Sequence, residues 1–262
     1  MKLKEELIPI LKKLRLSGML ETLDLRVNQA VEDKLSFQEF LYRMLHDEVE
    51  RRETKQLHKR LRKASFEQHK TLETFDFRFN PKIPKEKLID LGTCQFVKRR
   101  QNVALIGPSG VGKSHLSQAL GQRACLAGHE VLNLSAHKML GSLRAARADG
   151  SYDRKLQHLC QVDLLLIDDL GLRPLQYDEP VDLYEVFHQR YEKGSMIITS
   201  NRTIDEWYPL FRDPLLASAA LDRYLHHSHV IAMEGFSFRN PPKRKETLEG
   251  TPEEQTRTDS LV

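Results

Sequence analysis

The chain has 262 residues, 40% hydrophobic and 30% charged, with 41 Lys and Arg against 37 Asp and Glu for a net charge of +4. That length holds one large domain or two modest ones, and the near balance of charge permits a nucleic-acid partner without demanding one. Three scattered cysteines, Cys94, Cys125 and Cys160, suggest neither a disulfide framework nor a zinc site; no apolar run is long enough to span a bilayer and acids interrupt the first six residues, so a reducing cytoplasm is expected, with no membrane partner.

Residues 1–72 read as a small all-α unit. Leu3, Leu7, Ile10, Leu11 and Leu14 recur at helical spacing, and Pro9, which suits only a first turn, predicts a helix start near Ile8. Ser17-Gly18 reads as a break. Leu20, Leu23, Val27 and Val31 stripe a second helix. Ser36-Phe37-Gln38-Glu39 is a capping box that opens a third, with Phe37, Leu41, Leu45 and Val49 on its apolar face and Phe40 and Met44 beside them. That helix then turns basic. Arg51, Arg52, Lys55, Lys59, Arg60, Arg62 and Lys63 stand against one acid, Glu53, while Leu57 and Leu61 keep a narrow apolar stripe. Such a face either follows a phosphate backbone or is an ordinary solvated surface; what comes after it in the chain favours contact with DNA.

Phe75, Phe77 and Phe79 alternate ahead of Pro81 and Pro84, placing a domain junction between residues 70 and 80. One helix is expected from Lys85 to Lys98. Asn102-Val103-Ala104-Leu105-Ile106 then reads as a buried strand. It leads into Gly107-Pro108-Ser109-Gly110-Val111-Gly112-Lys113-Ser114, which matches the P-loop pattern G-x-x-x-x-G-K-[ST]. Glycines let the backbone approach a triphosphate, and the N–H groups at a helix start favour its charge. Lys113 reaches the β and γ phosphates of ATP, and the Ser114 hydroxyl joins the Mg²⁺ shell. His115 to Leu120 begins the helix that this motif requires.

Strands and helices alternate from here. Strands are expected at Glu130–Leu134, Asp163–Ile167, Ser195–Thr199 and Val230–Met233, and helices at Ala136–Ala148, Tyr152–Cys160, Val181–Tyr191 and Leu215–Tyr224. The fold class is therefore α/β, a five-stranded parallel sheet with helices on both faces over residues 73–240. Leu164-Leu165-Leu166-Ile167-Asp168-Asp169 delivers two acids at a strand's carboxyl end. Asp168 would hold Mg²⁺ and Asp169 would orient an attacking water. Asn201, at the end of Ile197-Ile198-Thr199-Ser200, either contacts the γ-phosphate or that water, or is a turn residue. Arg223, within Ser218-Ala219-Ala220-Leu221-Asp222-Arg223-Tyr224, is either an arginine finger for a neighbouring subunit or one half of an ion pair. His226, His227 and His229 have no evident cysteine or acidic companion, so they read as structural residues or nucleic-acid contacts and not as metal ligands. Residues 241–262 carry Lys243-Arg244-Lys245 followed by Glu246, Glu249, Glu253 and Glu254, and are expected to be disordered.

The P-loop, the Asp-Asp pair, the strand ending in Thr-Ser-Asn and the segment Leu221-Asp222-Arg223-Tyr224-Leu225-His226-His227-Ser228 together resemble the IstB family. These are AAA+ helper ATPases encoded beside a transposase and related to the helicase loader DnaC and the initiator DnaA. The likeness runs from about Leu7 to Arg239, including the ending Gly235-Phe236-Ser237-Phe238-Arg239. It implies an AAA+ P-loop fold, a DNA-binding helical head, and an ATP-dependent homo-oligomer that remodels duplex DNA for a cognate transposase. By the same resemblance Asn201 is sensor 1 and Arg223 the arginine finger. Arg239 stands near the place of a sensor-2 arginine, but the helical lid that carries sensor 2 has no room in this chain. Analogy places the adenine against the 75–87 segment and Leu88. A DnaC-like helicase loader is the alternative function on the same core, and a small-molecule kinase a distant third.

Overall fold

The computed structural model describes residues 2–67 and 70–240, so the expectation for the charged tail at 241–262 lies outside the described residues. Three helices come first: α1 (Lys2–Lys13), α2 (Ser17–Glu32) and α3 (Phe37–Ala64). The expected start of α1 near Ile8 is corrected, because the helix runs through Pro9. The missing Pro9 N–H frees one carbonyl a turn earlier, where Glu5, Glu6 and Leu7 are exposed and water can satisfy it. The break falls at residues 14–16, with Arg15 at φ +57°, and Ser17-Gly18 open α2 instead of preceding it. Ser36 caps α3 as expected, its hydroxyl accepting from the Glu39 N–H at 3.2 Å.

The inner face of α3 is not the one that its apolar spacing suggested. Met44 is buried and Phe40 packs beside it against Leu11, Leu16, Met19, Leu20 and Leu23. Phe37, Leu41, Leu45 and Val49 are exposed, as are Val27 and Val31 of α2. Two acids turn the helix this way. Asp47 and Glu48 lie on the Phe40–Met44 side and are buried against α2. Asp47 takes Arg26 in a paired contact at 2.6 and 2.8 Å, and Glu48 accepts the Gly18 N–H at 2.6 Å.

α3 continues into the second body. Ala64 is fully buried, and Leu57, Leu61 and Phe66 pack onto the cluster beneath the sheet. The helix expected over Lys85–Lys98 is two, α4 (Lys85–Leu91) and α5 (Gln95–Lys98). Between them Cys94 sits in left-handed backbone at φ +61°, which no continuous helix accommodates. The strands are β1 (Asn102–Ile106), β2 (Val131–Ser135), β3 (Leu164–Leu170), β4 (Ser195–Ser200) and β5 (Ser228–Ala232). All pair in parallel, in the order β2-β3-β4-β1-β5. α6 (Lys113–Leu126) covers one face with α4; α7 (Ala136–Ala148), α8 (Tyr152–Gln161), α9 (Glu179–Arg190) and α10 (Pro214–Leu225) cover the other. A 3-10 turn at Asp205–Leu210, absent from the sequence reading, buries Trp207 and lets its Nε1–H donate to the Ser200 hydroxyl at 3.1 Å. The order places β1 beside β4 and β4 beside β3, so the chain segments leaving these three strands emerge at one edge. No helix among the described residues is long and apolar enough to cross a membrane.

Candidate nucleotide site

The loop from Gly107 to Gly112 connects β1 to α6. Gly110 and Gly112 have φ of +84° and +100°, backbone that favours glycine, and neither has room for a side chain. A Cβ on Gly110 would stand 2.0 Å from Ser237 Oγ, and one on Gly112 would stand 2.5 Å from the Phe75 ring. The loop is thus walled by the chain that precedes it and by the segment that follows β5. Pro108, Ser109 and Val111 complete it, and Val111 is fully buried beneath it.

Lys113 opens α6 and is itself buried. Its Nζ donates to Gly107 O and Pro108 O, both at 2.7 Å, and to Asn201 Oδ1 at 2.6 Å. Burial pushes its pKa down, while Asp169 and Asp168 hold it up. An ammonium so placed gains from anionic oxygen in place of neutral carbonyls. Ser114 lines the same cavity of about 650 Å³, as do Asp169 and Asn201.

The two acids of β3 are set by a residue that the sequence reading gave no role. The Thr199 hydroxyl donates to Asp168 Oδ1 at 2.5 Å and accepts the Asp169 N–H at 2.9 Å. β3 is irregular between Ile167 and Leu170, and Asp169 sits there at φ +57°, turned into the cavity. Burial raises the Asp169 pKa first and Asp168 adds to it, against the pull of Lys113 and Arg239. The donor set suits ATP with Mg²⁺: an N–H-lined loop, a buried lysine, and hard oxygen donors at Ser114 and Asp168.

Phe238 and Arg239 also line this cavity. The Phe238 N–H donates to Gly110 O at 2.9 Å, and the Phe238 ring packs against Phe75 and Phe79. The segment after β5 therefore straps the loop and carries Arg239 to it, with no helix after β5 among the described residues. Its φ-demanding Gly235 and flanking aromatics were the available signal. Phe75 and Asp76 line the cavity as well, but Leu88, the other residue proposed for the adenine, is fully buried in the core.

Arg223 is not brought to its own chain's cavity. It stays on α10, where its Nη1 donates to Ala219 O at 2.6 Å and its guanidinium lies over the Tyr184 ring. The seven basic residues of α3 divide. Arg51 pairs with Glu21, Arg52 with Glu48, Lys63 with Glu130, and Arg60 donates to Cys125 O at 3.0 Å, so these four hold the fold together. Lys55, Lys59 and Arg62 are exposed at helical spacing and line one shallow cleft with His58. The expectation that the histidines lack an acidic companion is corrected: the fold brings Glu192 beside His226 and His227. His229 points elsewhere, its Nε2 lying 3.0 Å from Gln101 Oε1.

The chain is similar to known proteins along most of its length. The family model described as IstB-like ATP binding protein matches residues 9–246. A protein of Pseudomonas aeruginosa, named for insertion sequence IS21 and for ATP binding, is 37% identical over 240 residues, covering 92% of this chain and 91% of its own. The replication initiator DnaA, solved with AMPPCP and single-stranded DNA, superposes with a TM-score of 0.55 at 22% identity, over 65% of this chain and 51% of that one. The DnaC helicase loader gives 0.53 at 18% identity, over 64% and 98%. These two likenesses are of the AAA+ fold. With the P-loop, the paired acids and the sheet order in agreement with a match over nearly the whole chain, this protein belongs to the IstB-like ATP binding protein family.

Proposed function

We propose that this chain is a cytoplasmic ATPase that assembles with ATP on duplex DNA and assists the transposase of its insertion sequence. The observation that carries this reading is the convergence of Lys113, Ser114, Asp169 and Asn201 on one cavity, with Thr199 bonded to Asp168 next along the chain to Asp169. Bound ATP supplies the phosphoanhydride bond, and Mg²⁺ spreads the charge of its phosphates. Lys113 exchanges Gly107 O and Pro108 O for β- and γ-phosphate oxygens, and Ser114 and Asp168 hold the metal. Asp169, made more basic by burial, orients the water and takes its proton. Asn201, released by Lys113, is free to bond the γ-phosphate or that water. Arg223, turned away from its own cavity, serves the site of the next subunit, so hydrolysis requires assembly.

Lys55, Lys59 and Arg62 are the part of α3 left to meet DNA phosphates. The relatives' insertion-sequence names favour a transposase over a replicative helicase as the partner. The test is duplex-DNA affinity across a salt series for the Lys55→Ala/Lys59→Ala/Arg62→Ala variant. Loss of three phosphate contacts lowers the slope of log K against log salt by about 2.7. An unchanged slope would remove this face from the account.

A further inference from the structure

Near Arg223, away from the nucleotide cavity, Glu192, His226 and His227 each offer a ligand atom within 4.8 Å of the other two. The histidines are adjacent in sequence, with ring centroids 3.9 Å apart, and His227 Nε2 lies 4.0 Å from Glu192 Oε1. We propose that these three residues form a Zn²⁺ site. Two imidazoles and one carboxylate are a ligand set that zinc takes with water completing its shell. Donors around tetrahedral zinc are about 3.4 Å apart, so closure asks these exposed side chains to move by about 1.4 Å at most.

The backbone beneath the site is held from both sides. The Asn102 N–H donates to His227 O at 3.0 Å, and the Asn102 side chain to Tyr224 O at 2.9 Å. On the other side the buried Arg190 guanidinium donates to Leu159 O, Val162 O and Ser195 O, while Arg190 O accepts the N–H groups of Lys193 and Gly194. Glu192 is fixed in the middle of that turn at φ +57°, an uncommon conformation for a side chain of its size. The Tyr191 hydroxyl lies 2.9 Å from His226 Nδ1, which assigns Nε2 of that ring to the metal in this proposal and makes the tyrosine the kind of outer contact that orients a metal-binding imidazole. A plain surface ion pair would need neither the second histidine nor this tyrosine.

Bound zinc would tie the α9–β4 turn to the end of α10, one helical turn past Arg223. That consequence rests on the proposed role of Arg223; binding itself does not. The test is equilibrium dialysis of the full chain against Zn²⁺ without nucleotide, with metal counted per chain, and a parallel Co²⁺ titration read by visible absorption. One ion per chain is expected, with the Co²⁺ bands of imidazole ligation. Tyr191→Phe weakens binding by about 10-fold, and His226→Ala, His227→Ala and Glu192→Gln weaken it further. These side chains are exposed, and circular dichroism checks that each variant folds. Absence of stoichiometric metal, or unchanged affinity in the two histidine variants, would overturn the proposal. So would binding lost in Asp168→Asn, which would put the ion at the nucleotide cavity.

Discussion

Asp169 is costly where it stands. Burial and the neighbouring Asp168 both favour its neutral form, and its backbone is left-handed. A carboxyl with a raised folded-state pKa lowers stability once pH exceeds its unfolded value, in full above the folded one. Asp169→Asn should therefore raise the melting temperature at neutral pH, by about 2–4 °C for each kcal/mol relieved, and the gain should vanish at pH values where both carboxyls are protonated. ATP hydrolysis by the same variant should fall about 10²–10⁴-fold. Calorimetry at two pH values beside a phosphate-release assay reads both; a variant that melts no higher at neutral pH contradicts the strain assigned here. Lys113, Ser114 and Asp168 were legible in the sequence because contiguous residues build each of them: a loop, a helix start, a strand end. Thr199 and Glu192 were not. One acts on β3 from β4, and the other meets histidines more than thirty positions away, so each depends on tertiary placement.

The α2–α3 pair turns on two carboxylates. Burial alone would raise the Glu48 pKa, but Arg52 and the N–H groups of Gly18 and Met19 outweigh it and the net shift is downward. Arg26 and Thr22 lower Asp47 against the same burial cost. Both acids thus add stability that is present above the ordinary carboxylate range and lost as pH falls through their lowered values. Glu48→Ala should destabilise the helical head by about 1–3 kcal/mol by leaving the Gly18 N–H without its acceptor. Hydrogen exchange would show α1 and α2 amides opening faster at neutral pH, with the difference from wild type shrinking as pH falls through the lowered Glu48 value and the sheet unchanged; equal protection in mutant and wild type at neutral pH would refute it. The same acids explain the misread face of α3. Hydrophobic periodicity counts Phe37, Leu41 and Leu45 and ignores Asp47 and Glu48, which are buried because they are paired. Strand positions were readable for the opposite reason. Fully buried parallel strands such as Leu164–Ile167 are continuous apolar runs, while their order in the sheet depends on tertiary pairing and comes from the structure alone.

At the scale of the molecule, α3 joins the two bodies: its first half packs on α2, and its second half docks beneath the sheet through Leu57, Leu61 and Ala64. Lys55, Lys59 and Arg62, which form no ion pair among the described residues, lie on the stretch that makes this join, so DNA held there would be coupled to the body that binds nucleotide. The strap at 235–239 reaches that same body from the other end of the described chain and brings Arg239 within electrostatic range of Lys113 and Asp169. Arg239→Ala should weaken ATP binding with little change in duplex-DNA affinity at saturating nucleotide, a split that nucleotide titration and a DNA shift assay would separate. The central claim is that ATP in this cavity drives assembly on DNA. Its most direct test is electron microscopy of the purified full chain with duplex DNA, in ATP, in ADP and without nucleotide. Oligomers on bent DNA that require ATP, and that Lys113→Ala abolishes while the helical head stays folded, are expected; monomers under all three conditions would contradict the account.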